Sequence, residues 1–170
     1  MHRLIRALSH VTALAGGIVL LVLIVLTTLS IIGRSAGLGE IQGNYELLEA
    51  GVAFAIFSFL PITQFYNSHA TVDVFTARLS GRANRWIAAF WEVVLTLVIL
   101  LIVLQLYGGL ERYWRNGETT LFLQFPVWWA YAAAFAAGVV TCVVGLYVAV
   151  ARVGEAVTGR AVLPDLHEGH

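Results

Sequence analysis

The sequence predicts an all-α membrane protein with four transmembrane helices. Two observations support this fold class. Hydrophobic residues make up 59% of the 170 residues and charged residues only 12%, whereas a soluble domain carries about 25% charged residues. The apolar residues also lie in long uninterrupted runs instead of short alternating patterns. Such runs are typical of helices that cross a lipid bilayer.

Four segments are long enough to cross a hydrocarbon core about 30 Å thick, at a helical rise of about 1.5 Å per residue. They cover approximately residues 11–32, 45–66, 86–107 and 126–151. We therefore expect residues 1–158 to form a single transmembrane domain. Residues 159–170 are expected to be a disordered cytoplasmic tail.

Local signals mark the expected ends of these helices. Asn44 and Asn84 are placed to cap the second and third helices. Gly108 and Gly109 supply a stop signal for the third helix. Pro126 suits the first turn of the fourth helix, because a proline there removes no helical hydrogen bond.

The distribution of arginine predicts the orientation, since basic loops stay on the cytoplasmic side. If the amino terminus is inside, seven arginines lie inside and three outside, which favours cytoplasmic termini. The inner set is Arg3, Arg6, Arg78, Arg82, Arg85, Arg152 and Arg160, and the outer set is Arg34, Arg112 and Arg115. In the inner loop, Val72, Phe75 and Leu79 share one helical face, which predicts a short interfacial helix.

Ionisable residues in or beside the spans are the first functional candidates, because exposing one to lipid costs about 2.5–3.5 kcal/mol. Glu46 and Glu49 lie at the outer end of the second helix. They could bind a cation or pair with another subunit, but we expect interfacial carboxylates stabilised by the helix dipole and water. Glu92 could be a proton-coupling acid. The expected role is instead a hydrogen bond to another helix or to Arg85.

The remaining signals for chemistry are weak. His69 and Asp73 lie four residues apart and are expected to form a structural hydrogen-bonded pair, in preference to a metal or catalytic site. All five histidines fall outside the middle of the spans, so the paired ligands of a membrane haem are missing. The sequence contains no P-loop, nucleophile elbow or zinc-ligand spacing. We expect no enzyme activity and no cofactor in this chain.

A series of short motifs points to a known family. Residues 43–49 read GNYELLE, a long apolar run follows, and residues 69–75 read HATVDVF; later come ETT at 118–120 and FPVW at 125–128. In this order the chain resembles the DctQ-type small membrane subunit of TRAP transporters, the tripartite ATP-independent periplasmic systems. In that family a glycine-acidic opening precedes a histidine-x-x-valine-aspartate segment. The resemblance extends from the first helix to Arg152.

The resemblance implies a multi-pass protein of the bacterial inner membrane that takes part in secondary uptake, typically of an organic acid. A periplasmic solute-binding protein would deliver the solute, and a large membrane subunit would bind it together with sodium and move both across the bilayer. This chain would brace the large subunit and help to dock the binding protein. Candidate subunit-contact or structural polar residues are Glu46, Glu49, His69, Asp73, Arg78 and Glu92, and candidate docking residues are Arg112, Arg115 and Glu118.

Small residues would permit close helix contact, either with the large subunit or between the chain's own helices. They are Gly16, Gly17, Ala133, Ala136, Ala137 and Gly138.

Two other classes of function are open. An autonomous four-helix proton-coupled exporter would act without partners, and its acid, Glu92 or Glu49, should lie near the membrane centre, where neither is expected. A redox subunit or membrane enzyme built on His69 and Asp73 would need further ligands at membrane depth.

Overall fold

A computed structural model describes residues 2–66 and 81–158 of the chain. These residues form four helices: α1 (His2–Ser35), α2 (Asn44–Phe65), α3 (Gly81–Asn116) and α4 (Trp128–Thr158). Each helix is long and apolar enough to cross a membrane. The predicted fold class is therefore confirmed. The expected interfacial helix at 72–79 and the expected tail at 159–170 lie outside the described residues.

The helices contact one another in the order α1, α2, α4, α3, which differs from their order in the chain. Helix α2 packs between α1 and α4, and α4 packs between α2 and α3, while α1 touches α4 only briefly. Helix α4 is consequently the most buried of the four. The arrangement is an open row with α1 and α3 at its two edges, and not a closed bundle.

The two ends of the row differ. The segments 36–43 and 117–127 both lie at one end, which we call the hairpin end. At the opposite end, the termini end, Ile5 of α1 packs against a buried group formed by Phe65, Val144 and Val148. The start of α1 and the later part of α4 are therefore joined by apolar contacts at the termini end.

Glycines set the distance between neighbouring helices. On α1, a Cβ at Gly16 would lie 2.8 Å from the Ser58 Cβ and 3.4 Å from the Ala55 carbonyl oxygen of α2. On α4, a Cβ at Gly138 would lie 2.8 Å from Cγ2 of Val103 on α3. Both positions require glycine because the partner helix approaches so closely.

The small residues that the sequence predicts at close helix contacts divide into two groups. Gly16, Ala137 and Gly138 are buried within the row. The others face outward: no atom lies within 4 Å of a Cβ built at Gly17, and the exposed positions are Ala133 and Ala136.

The predicted end of α3 at Gly108 and Gly109 is wrong. The helix continues to Asn116, and Gly117, with a φ of 64°, follows it. Packing explains Gly109, because a Cβ there would lie 2.5 Å from Cε1 of Tyr131 on α4. A glycine inside a helix costs only about 1 kcal/mol, and at this position it admits a large aromatic ring against the backbone.

Two predicted caps also differ from the structure. Gly43, with a φ of 76°, precedes α2, and no side-chain hydrogen bond caps this helix. Asn44 is instead the first helical residue. Helix α3 begins at Gly81, so Asn84 lies inside the helix and not at its start.

We expect Gly16→Leu to destabilise the packing of α1 on α2. The added side chain would overlap Ser58, and overpacking of this kind costs about 1–3 kcal/mol. Thermal unfolding of the purified full-length protein in detergent should show a lower Tm. Gly17→Leu is the matched control and should leave Tm nearly unchanged, because its Cβ position is open. Equal losses in both variants would contradict this packing.

Candidate functional site

The connection between α3 and α4 is a short hairpin, residues 117–127. Two backbone hydrogen bonds close it: Thr120 N donates to Phe125 O at 3.0 Å, and Val127 N donates to Glu118 O at 3.0 Å. The chain reverses at residues 121–124, which we call the hairpin tip.

Pro126 belongs to this hairpin and not to α4. It pairs with Thr119 in an isolated β-bridge, and α4 begins two residues later at Trp128. The sequence placed Pro126 in the first helical turn. That prediction is wrong, because the pairing with Thr119 holds the proline in an extended segment before the helix.

Glu46, in the first turn of α2, holds the hairpin tip. Its Oε1 accepts a hydrogen bond from Phe122 N at 2.7 Å, and its Oε2 accepts one from Leu123 N at 3.0 Å. Hydrogen bonds from N–H groups to a carboxylate are roughly twice as strong as those between neutral groups. One side chain of α2 thus fixes two consecutive backbone amides that lie more than seventy residues later in the chain.

Gly43 provides the space beside this carboxylate. A Cβ at Gly43 would overlap Cγ of Leu123 and lie 2.9 Å from each of its two Cδ atoms. The φ of 76° also favours glycine at this position. The glycine-acidic opening at residues 43–46 is therefore a receptor for the hairpin tip. We call Gly43, Glu46 and the hairpin tip together the latch.

Glu49 lies one turn beyond Glu46 but has a different environment. The hydrogen bonds to the hairpin tip are made by Glu46, whereas the Glu49 side chain is exposed. Both oxygens of Glu46 are directed at backbone amides. The sequence predicted the helix dipole and water as the partners of Glu46, whereas the structure gives it two backbone amides of the hairpin tip.

Aromatic side chains gather at the hairpin end between α3 and α4. The rings of Trp114 and Trp128 lie 4.4 Å apart, and those of Tyr113 and Tyr131 lie 4.8 Å apart. Tryptophan and tyrosine are enriched where transmembrane helices cross a membrane interface. This cluster therefore marks the depth at which α3 and α4 leave the hydrocarbon core.

A second polar feature lies toward the termini end, between α2, α3 and α4. Gln64 Nε2 donates to Glu92 Oε1 at 3.4 Å, and both side chains are buried. Thr96 is buried one turn along α3. Gly145 of α4 leaves room for this group, because a Cβ there would lie 2.8 Å from Gln64 Nε2 and 3.2 Å from Thr96 Oγ1. Glu92 therefore makes a hydrogen bond to another helix.

We call Gln64, Glu92 and Thr96, together with an ion pair on α4, the buried polar cluster. Arg152 donates to Glu155 at 3.0 Å, and both side chains are buried. From the sequence, Arg152 was assigned only to the orientation of the chain, and Glu155 was not predicted to have a role. Their spacing of three residues on one helix is the signal that could have revealed the pair.

The three candidate docking residues all lie at the hairpin end and are exposed. Arg115 forms an ion pair with Glu111, and Glu118 accepts a hydrogen bond from Asn116 at 3.1 Å. Arg112 forms no ion pair within the described part of the chain. The structure thus places these charges together on the last turn of α3 and the start of the hairpin.

The other candidates, His69, Asp73 and Arg78, lie outside the described residues. In the ranges 2–66 and 81–158, no group of three or more His, Cys, Asp or Glu side chains is placed to hold a metal ion. Among the described polar contacts, the latch lies at one end of the row and the Gln64–Glu92 hydrogen bond lies toward the other.

Glu46→Ala should release the hairpin tip while the helices remain folded, because the amides of Phe122 and Leu123 lose their acceptor. Hydrogen–deuterium exchange of the full-length protein in nanodiscs should show these two amides exchanging as fast as those of an unprotected loop. Glu49→Ala is the matched control, and its exchange should equal that of the unsubstituted protein. Retained protection in Glu46→Ala would show that the latch does not hold the tip.

Comparison with known proteins identifies the family. The family model described as tripartite ATP-independent periplasmic transporters, DctQ component, matches residues 23–155. The match includes the latch and the buried polar cluster, and it confirms the resemblance drawn from the sequence motifs. No curated protein and no solved structure shows a significant match to the chain. The chain therefore belongs to the DctQ family, the small membrane components of TRAP transporters.

Proposed function

We propose that this chain braces the large membrane subunit of a TRAP-type secondary transporter and helps to dock the periplasmic solute-binding protein. The observation that carries the proposal is the open row of helices in a member of this family of transporter components. A row exposes far more helix surface to the bilayer than a closed bundle of the same length. That surface is available to a second membrane protein.

The two edges of the row are suited to contact within the membrane. Helices α1 and α3 present large apolar side chains outward, for example Leu21 and Leu101. Apolar burial gives little driving force in lipid, so association there depends on close packing of backbones at small residues. Gly17 on α1, with its open Cβ position, is such a point on the edge helix.

Rigidity is the second property that a brace requires. By the family analogy, the large subunit shifts a domain across the bilayer, and its neighbour must resist that movement. The latch connects α2 to the α3–α4 hairpin at one end. The Gln64–Glu92 hydrogen bond connects α2 to α3 toward the other end. Helix α2 is therefore fixed near both of its ends.

Docking of the binding protein would use the hairpin end. With both termini in the cytoplasm, as the arginine distribution predicts, this end faces the periplasm of a bacterial cell. Arg112, Arg115 and Glu118 are exposed there. Exposed charges of this kind steer association and set its orientation more than they add affinity.

Sodium and the solute, expected to be an organic acid, would bind to the large subunit. In this account the present chain carries no cofactor and no transport site. The alternative is an autonomous proton-coupled exporter in which Glu92 is the coupling acid. The hydrogen bond from Gln64 favours a structural carboxylate.

The test is purification of the tagged chain in mild detergent from its host, followed by uptake assays in liposomes. We expect a much larger polytopic membrane protein at a one-to-one ratio, and sodium-dependent uptake only when the binding protein is present. Transport by this chain alone would contradict the proposal.

The substitution Glu92→Gln distinguishes the brace from the exporter in the same experiment. The amide keeps an oxygen that can accept the hydrogen bond from Gln64 but cannot carry a coupled proton. We expect the complex and its uptake to be retained. Glu92→Leu, which removes the acceptor, is the control for loss of packing. If the unsubstituted chain alone transports solute in liposomes and the Glu92→Gln chain does not, the exporter is favoured.

A further inference from the structure

The hairpin tip exposes three large apolar side chains, Leu121, Phe122 and, to a smaller extent, Leu123, although its backbone is fixed. Leu121 is 80% exposed and Phe122 is 61% exposed, while Glu46 holds the backbone of the tip from the other side. No charged residue occurs between 119 and 127. Adjacent exposed apolar side chains on an ordered loop indicate a surface that is covered in the working protein.

The depth of the tip follows from the register of α2 against α4. Thr141 Oγ1 donates to Phe57 O at 3.0 Å, which places these two residues at the same level. Glu46 precedes Phe57 by eleven residues, and Ala130 precedes Thr141 by the same number. The two helices run in the same direction, so the latch lies at about the level of Ala130.

The level of Ala130 is the edge of the hydrocarbon core. No charged residue occurs on α4 before Arg152. Counting back about 20 residues from Ala151, the length that crosses the core, gives a boundary at about Ala132. Trp128, Trp129 and Tyr131 surround this level, as expected for the aromatic belt of an interface.

We propose that Leu121 and Phe122 insert into the lipid headgroup region at the hairpin end, and that the latch is thereby an interfacial membrane anchor. On α2, Tyr45, which directly precedes Glu46, is also a large apolar side chain and is 75% exposed. The charged groups suited to an aqueous partner, Arg112 and Arg115, lie on α3 and not on the tip. Lipid is therefore the occupant that matches the depth and the chemistry of the tip.

An anchor at this position has a mechanical consequence. The apolar side chains of the tip resist movement into water. The charged side chain of Glu118, at the base of the hairpin, resists movement into the hydrocarbon core. Because Glu46 and Gly43 join the tip to α2, the anchor fixes the height of α2 in the bilayer. This inference concerns contact with lipid and does not depend on the identity of any protein partner.

The test measures the depth of a spin label attached to single cysteines in the full-length chain, with Cys142→Ala removing the native thiol. Leu121→Cys reports on the tip. Glu118→Cys, at the base of the hairpin, is the aqueous reference, and Leu97→Cys, exposed on α3 in mid-span, is the lipid reference. The protein is studied in lipid nanodiscs, where accessibility to oxygen is compared with accessibility to a water-soluble nickel complex.

We expect the label at position 121 to favour oxygen over nickel, with a ratio between those of the two references. A ratio equal to that at position 118 would overturn the proposal, because the tip would then be in water. The same applies if the label is accessible to nickel in the nanodisc and becomes shielded only when the periplasmic binding protein is added, since the tip would then be a protein-docking surface.

Discussion

The position of the hairpin tip depends on the carboxylate of Glu46. At the hairpin end the two oxygens of Glu46 accept hydrogen bonds from two consecutive amides of the hairpin tip. Gly43 makes this approach possible because it leaves room for Leu123. A local feature of α2 therefore determines where the connection between α3 and α4 lies.

The same helix is held near its other end by buried polar groups. Gln64 donates a hydrogen bond to Glu92 on α3, and Arg152 and Glu155 form a buried ion pair on α4. Such groups add little stability by themselves, because burial removes them from water. Their effect is on register, since a helix that slides loses its partners. An open row fixed in this way at both ends would suit the stationary brace that we propose.

Hydropathy was sufficient to predict the four spans, because the bilayer requires about 20 apolar residues for each crossing. It could not reveal the latch, since the partners of Glu46 are backbone amides at positions 122 and 123 that carry no sequence signal. The glycine pair at 108 and 109 was misinterpreted for a related reason. A glycine that makes room for Tyr131 against a helix cannot be distinguished in the sequence from a glycine that ends a helix. Only the packing distinguishes them. Glu155 was missed because its partner Arg152 was assigned solely to the orientation of the chain.

The central claim is that the described helices form one rigid row, and a distance measurement across that row tests it most directly. Spin labels at Val22→Cys on α1 and Leu101→Cys on α3, both exposed positions, would report the distance between the edges in a Cys142→Ala background. Pulsed electron paramagnetic resonance of the complex with the large subunit should give one narrow distance distribution that is the same with and without sodium. A distribution that broadens or shifts when sodium is added would show that the row changes shape with the transporter, and would contradict the account of a stationary brace.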